Sequence, residues 1–254
     1  MPTHYNIDWL IDRYENGDNL KYIYFWGNTS TGNEITKACF SQWYESSFVV
    51  KDITYKTSEH WMMAQKALLF NDTESFKKIV ESNKPGEAKD LGREVKGFEA
   101  ELWESRRFDI VVAGNIHKFN QNRELGTFLL NTKDRILVET SPVDTIWGVG
   151  LTADSDSIHN LYLWRGTNLL GFALMEARDF LSETGFFEPL KNAYIPQWEA
   201  FKEHSPYSLF WRMGEGETYV MKMGEYLEKL SDREKRIYWL YNLPPAEWPV
   251  ESFR

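Results

Sequence analysis

Glu59 and Lys66 are the first residues in this chain whose types and spacing suggest chemistry. They lie in the run Thr57-Ser58-Glu59-His60-Trp61-Met62-Met63-Ala64-Gln65-Lys66-Ala67. The run reads as the opening of a helix, with Thr57 or Ser58 as N-cap and apolar residues following at helical spacing. Seven residues are nearly two turns, so both side chains lie on one face, roughly 10 Å apart along the axis, with Met63 between them. Two long side chains of opposite charge can lean toward a shared point there. A carboxylate and an amine converging on one ligand suit cleavage at a sugar anomeric carbon. A surface helix with two unrelated charges has the same periodicity, so the remainder of the chain decides between the two readings.

The elements that must position such a pair can be read along the chain. Ile7, Leu10, Ile11 and Tyr14 form one helical stripe within residues 1–18. Residues 22–26 have strand composition and end at Gly27-Asn28. Residues 40–44 and 48–55 read as extended segments around a turn. The helix from Ser58 to about Phe70 follows. Further helical patterns cover 74–81, 99–119 and 124–130, and another runs from Pro85 at N1 to Gly92 or Gly97. In the longest of them Trp103, Arg106, Ile110, Ala113 or Gly114, and His117 share the inner stripe. Residues 136–138 form a buried strand, 141–144 a turn and 146–150 a short extended piece. Asn168 caps an apolar helix through Leu181. Beyond about residue 185 a run of prolines from Pro189 to Pro249 punctuates a segment holding Trp198, Trp211, Trp239 and Trp248, with helical patterns over 219–230 and 232–241. The expected organisation is an N-terminal helix at 1–20, a main domain at 21–185, and an aromatic, proline-rich helical extension at 186–254. The expected fold class is α+β, mainly helical, a compact domain with a few short strands.

Composition narrows the function classes. The 254 residues carry a formal charge of −9, which argues against broad, sequence-blind binding to a nucleic acid backbone. A local basic pocket for one phosphate remains compatible with it. The single cysteine, Cys39, excludes an intrachain disulfide and a cysteine-based metal framework, and reads as a small buried hydrophobe. No apolar run is long enough to span a bilayer, and the first residues lack the pattern of a signal peptide. The expected location is cytoplasmic, without membrane association. The five histidines show no metal-ligand spacing, and no Walker, GxGxxG or GxSxG motif is present. Neither a metal nor any other cofactor is expected. The 11 tryptophans suit both a packed core and pockets for flat ligands.

Several blocks together resemble the NADAR family, which is also described through its YbiA-like bacterial members. They are Phe40-Ser41-Gln42-Trp43-Tyr44, the run from Tyr55 to Ala67, Leu91-Gly92-Arg93 with Trp103, the run Asp144-Thr145-Ile146-Trp147-Gly148-Val149-Gly150, and the stretch from Trp164 to Arg178 containing Gly166, Asn168 and Gly171. Their order and spacing hold across roughly residues 21–182. Gln42 departs from the pattern of many bacterial relatives.

The resemblance implies an N-glycosidase that cleaves ribose C1 from the exocyclic amino group of a heterocycle. One branch acts on phosphoribosylamino-pyrimidine intermediates of riboflavin synthesis. Another removes ADP-ribose from guanine, free or within ADP-ribosylated nucleic acid. On this basis Glu59 is the catalytic base or cation stabiliser, favoured in its ionised form by the helix N-terminus. Asp144 supplies the second carboxylate or closes an Asx-turn. Lys66 grips phosphate, pairs with Glu59, or forms a Schiff base with the opened sugar, which needs a depressed pKa. Trp103 and Trp147 are stacking platforms or core, and Gly148 lets backbone approach the ligand. Asn168 and Gly171 open a helix whose free N–H groups suit phosphate. Arg93, Arg106 and Lys118 are candidate cations. The alternative is a non-catalytic module binding ADP-ribose or another nucleotide.

Overall fold

A computed structural model describes residues 5–29 and 34–248. The first four residues of the expected N-terminal segment and Pro249 lie outside the described residues. The chain divides after Phe186 into two compact units.

The first unit opens with α1 (Ile7–Glu15), β1 (Tyr22–Phe25), a 3-10 turn (Lys37–Phe40) and the hairpin β2 (Phe48–Val50) and β3 (Ile53–Tyr55). Six helices and one strand follow: α2 (Ser58–Leu69), α3 (Thr73–Glu81), α4 (Pro85–Arg93), α5 (Ala100–Gln121), α6 (Arg123–Leu130), β4 (Ile136–Glu139) and α7 (Leu169–Thr184). The expected mainly helical α+β class is the one observed. Residues 40–44 are not extended: Phe40 ends the 3-10 turn, and Tyr44 closes a further turn onto the Ser41 carbonyl at 3.3 Å. Residues 146–150 form a loop rather than a strand: one bond, from Val149 N–H to the Glu139 carbonyl, reaches β4, while the carbonyls of Ile146, Trp147 and Gly148 bond the start of α7.

Local chemistry accounts for the element ends near the site. Thr57 caps α2, its Oγ1 accepting the His60 N–H at 3.4 Å, which satisfies one of the free donors at the helix start. Pro85 sits at N1 of α4, where its missing N–H costs nothing. The hairpin turns through Lys51 and Asp52, both at positive φ (49° and 63°), as a tight two-residue connection requires.

The core is built on α5, whose residues 110–120 are all buried, and on α7, buried from Leu170 to Arg178. Trp61 ties α2 to α5 by donating its indole N–H to the Ile110 carbonyl at 2.7 Å. β1 and β4 pair in parallel, with Phe25 opposite Glu139. Ligand-contacting groups in parallel α/β arrangements collect at the carboxyl ends of strands, and both strands here end at that pair. Among the described residues no helix is long and apolar enough to cross a membrane.

The second unit contains α8 (Gln197–Ala200), a 3-10 turn (Leu209–Arg212), α9 (Gly214–Lys229) and α10 (Asp232–Tyr241). Its ordering rests on aromatic packing: His204 stacks on Phe210 at 3.9 Å between centroids, and Phe201 and Trp211 meet that pair edge-on or tilted. Tyr238 is buried and donates to the Tyr194 carbonyl at 2.9 Å. Ser231 and Glu234 form a capping box at the start of α10.

Candidate active site

Three acidic side chains from three elements act on one another in the first unit: Glu59 from the first turn of α2, Glu139 from the end of β4, and Asp144 from the following loop. Glu59 is buried, with Oε1 shut off from solvent and without a hydrogen-bond partner. Burial raises its pKa to about 7, the Asp144 charge adds to this, and Lys89, the Trp43 indole and Arg93 oppose it. The helix N-terminus does not keep Glu59 well ionised, as its sequence position suggested, because the loss of hydration outweighs it. Glu139 is affected more strongly. Burial and the Asp144 and Glu59 charges lift its pKa to about 8, and its Oε2 is also buried without a partner.

Asp144 is held by its own turn. Its Oδ1 accepts the N–H groups of Ile146 (2.9 Å) and Trp147 (2.7 Å). The Asx-turn alternative is therefore realised, and it fixes the carboxyl near the two glutamates. The loop is clamped in turn to α7: Leu169 N–H bonds the Ile146 carbonyl (3.2 Å), Leu170 N–H the Trp147 carbonyl (3.0 Å), and Asn168 N–H the Gly148 carbonyl (3.2 Å).

These bonds correct the reading of α7 as a phosphate site, since its leading N–H groups are already spent on the loop. Asn168 makes no side-chain cap and sits in the left-handed region at φ 55°. Its amide instead spans β4, with Oδ1 accepting from Glu139 N–H (3.0 Å) and Nδ2 donating to the Leu137 carbonyl (2.9 Å). A Cβ at Gly171 would lie 2.0 Å from that Leu137 carbonyl, and one at Gly148 would lie 2.9 Å from the Glu139 carbonyl. Both glycines permit protein backbone to close on the strand that carries Glu139.

Glu59, Met63 and Lys66 face α4, as their spacing requires, but the two charges do not converge. Met63 packs so tightly on Gly92 that a Cβ there would lie 2.0 Å from its sulfur. Beyond that contact Lys66 Nζ donates to the Gly92 carbonyl at 2.8 Å and lies 4.3 Å above Phe98 and 5.7 Å from Trp103. Burial lowers its pKa. Trp103 is thus placed with Lys66, and the cation nearest the acids in effect is Lys89, the next turn of α4. Arg93 is exposed and paired with Asp90 at 2.8 Å, while its charge still reaches Glu59. Arg106 is half-buried beside Asp109 on its own helix. Lys118 is wholly buried and donates to the Cys39 (2.6 Å) and Ser41 (2.9 Å) carbonyls, so it secures the 3-10 turn. Trp147 is half-buried in the Asp144 loop.

Sequence reasoning missed four contributors. Glu139 is the lone charge closing an apolar strand, and that break in pattern was the available signal. Trp43 lies within the Phe40–Tyr44 block. It donates to Glu59, and Lys89 Nζ lies 5.9 Å from its ring centroid. The neighbouring Gln42 is buried. Its carbonyl accepts the Glu59 N–H at 3.0 Å, and its side chain donates to Asn115 at 3.3 Å. For Lys89 the sequence carried no signal. Among the described residues no group of three His, Cys, Asp or Glu side chains gathers closely enough to hold a metal ion.

The site lies within the region that matches known proteins. The NADAR domain family model matches residues 24–182. An N-glycosidase of Acanthamoeba polyphaga mimivirus is 42% identical over 164 residues, covering 63% of this chain and 95% of that protein. A riboflavin biosynthesis protein of Vibrio vulnificus is 30% identical over 166 residues, which span 64% of this chain and 41% of its own length. The solution structure of Escherichia coli YbiA superimposes with a TM-score of 0.53 at 28% identity, covering 68% of this chain and 92% of YbiA. A family model spanning more than half of the chain, and a solved relative with the same fold, place this protein in the NADAR domain family.

Proposed function

We propose that this protein is an N-glycosidase, a hydrolase that cleaves the bond between ribose C1 and the exocyclic amino nitrogen of a heterocycle. The proteins it resembles support this reading, several being named N-glycosidases and one a riboflavin biosynthesis protein. The observation that carries it is the buried Glu59 carboxyl, poised near neutrality with Asp144, Lys89 and Trp43 acting on it. Cleavage passes through positive charge at C1, which a carboxylate in a water-poor setting stabilises strongly. Glu59 steadies that charge and receives the proton of the attacking water, and Asp144 reinforces the negative field. Lys89 and Arg93 are the cations suited to a 5-phosphate on the sugar. Trp43 and Trp147 offer indole faces for the heterocycle, a contact worth about 1–3 kcal/mol by analogy with base stacking. Lys66 holds the end of α4 against α2.

The substrate is a small ribosylamine in the cytoplasm, either a phosphoribosylamino-pyrimidine or ADP-ribosylated guanine. The charge of −9 favours the free small molecule over guanine within a nucleic acid. The test is incubation of the full chain with a phosphoribosylamino-uracil and with guanine-linked ADP-ribose, reading released sugar and base by mass spectrometry. Release from one of them, abolished by Glu59→Gln, is expected. Tight binding of both without release would overturn the reading.

A further inference from the structure

Glu139 has no part in the mechanism above, yet the backbone that carries it is firmly held beside Glu59. Its N–H is bonded by the Asn168 side chain (3.0 Å) and its carbonyl by Val149 N–H (2.9 Å). No side chain fits at Gly148 against that carbonyl. The strand end is thus fixed from two sides, and what it presents is a carboxyl whose Oε2 is buried without a partner. Glu59 Oε1 is in the same condition. Buried polar atoms in folded proteins are normally bonded. Two orphaned carboxyl oxygens on different elements, acting on each other electrostatically, fit a site whose remaining partner is a ligand.

The surrounding charges sort the two carboxyls. Lys89, Trp43 and Arg93 favour ionised Glu59, opposed by Asp144. Around Glu139 the charges of Asp144 and Glu59 both favour the protonated form, and Lys89 opposes them least. We propose that Glu139 is the general acid of the reaction, delivering its proton to the leaving exocyclic nitrogen while Glu59 serves the water. This rests on the N-glycosidase reading. The C1–N bond breaks with its electron pair going to nitrogen, which takes the Glu139 proton and leaves as a free amine. Water oxygen bonds C1 and passes a proton to Glu59. Return of that proton to Glu139, directly or through solvent, resets the pair, and the net reaction consumes one water.

The experiment compares wild type, Glu139→Gln and Glu139→Asp in the full chain. It measures kcat/KM from about pH 5 to pH 10 on a phosphoribosylamino-uracil and on an electron-poor nitroaryl ribosylamine, whose nitrogen leaves without full protonation. Loss of a general acid is expected to cost Glu139→Gln about 10²–10⁴-fold on the uracil substrate. The same variant should lose the alkaline limb of the profile and lose far less on the nitroaryl substrate. Equal losses on both substrates, or a retained alkaline limb, would overturn the inference and leave the N-glycosidase reading standing. Absence of release by wild type would overturn both. Should Glu139→Gln fail to fold, Glu139→Asp decides: a reduced rate with the alkaline limb present is expected, and a wild-type rate contradicts the role.

Discussion

Replacing Glu59 with Gln should stabilise the first unit at alkaline pH while abolishing turnover. Glu59 is 4% exposed, and burial raises its pKa from 4.5 to about 7. Below the lower value both folded and unfolded chains hold the proton, and the site costs nothing. As pH rises, the unfolded chain releases the proton first, so stability falls, and the full cost is present above the folded value. A displacement of about 2.5 on the pH scale corresponds to about 3 kcal/mol. Gln cannot ionise and escapes this cost. Removing the Glu59 charge also relieves Glu139, which acts in the same direction. Cys39, the sole cysteine, is buried in the same unit, so its labelling by dithiodipyridine across a urea series reads the opening of that unit alone. The stability difference, Glu59→Gln minus wild type, should grow by about 3 kcal/mol between about pH 4.5 and pH 8.5. A difference that stays constant across that range would refute the buried, poised carboxyl.

Other perturbations follow from the same geometry. Lys89→Met removes the charge that most opposes the raised pKa of Glu59. The acid limb of kcat/KM should therefore move to higher pH, and an unmoved limb would detach Lys89 from the site. Gly92→Ala forces a methyl to within 2.0 Å of the Met63 sulfur. Urea unfolding should show a loss of about 1–3 kcal/mol from overpacking, relieved in part by Met63→Ala. Asn168→Ala strips β4 of two hydrogen bonds. It should cost about 2 kcal/mol or more and lower turnover by releasing Glu139, measured as stability and kcat on one preparation. Lys66→Met should keep kcat within about tenfold of wild type and lower stability modestly. Complete inactivity of a folded Lys66→Met would restore a chemical role for that amine.

The helices were legible because each carries local signals that packing did not overrule. Thr57 capped α2, Pro85 opened α4, and the apolar stretch after Asn168 became α7, each with an end within a few residues of its pattern. The segments 40–44 and 146–150 were read as extended because they are aromatic and branched, but neither forms a ladder with a neighbouring strand: only Val149 N–H reaches β4. Most of their bonded backbone groups pair within turns, with residues 165–166 and with the start of α7. Residue types at the site were visible, while their partners were not. Periodicity placed Glu59 and Lys66 on one face, yet the Met63–Gly92 contact that separates them lies across two helices. The glycines 148 and 171 and Asn168 looked like ligand contacts, and they shape the strand end and loop that carry Glu139 and Asp144. Long-range pairing of that kind leaves no periodic trace, which is why Lys89 had no signal at all.

The central claim is that the buried Glu59 carboxyl drives attack of water on ribose C1. Turnover of a phosphoribosylamino-uracil, or of guanine-linked ADP-ribose, in water enriched with oxygen-18 tests it in one measurement, with wild type and Glu59→Gln run in parallel. The heavy oxygen should appear on the released sugar and not on the heterocycle, in wild type alone. Label on the heterocycle, or equal labelled sugar from Glu59→Gln, would contradict the account.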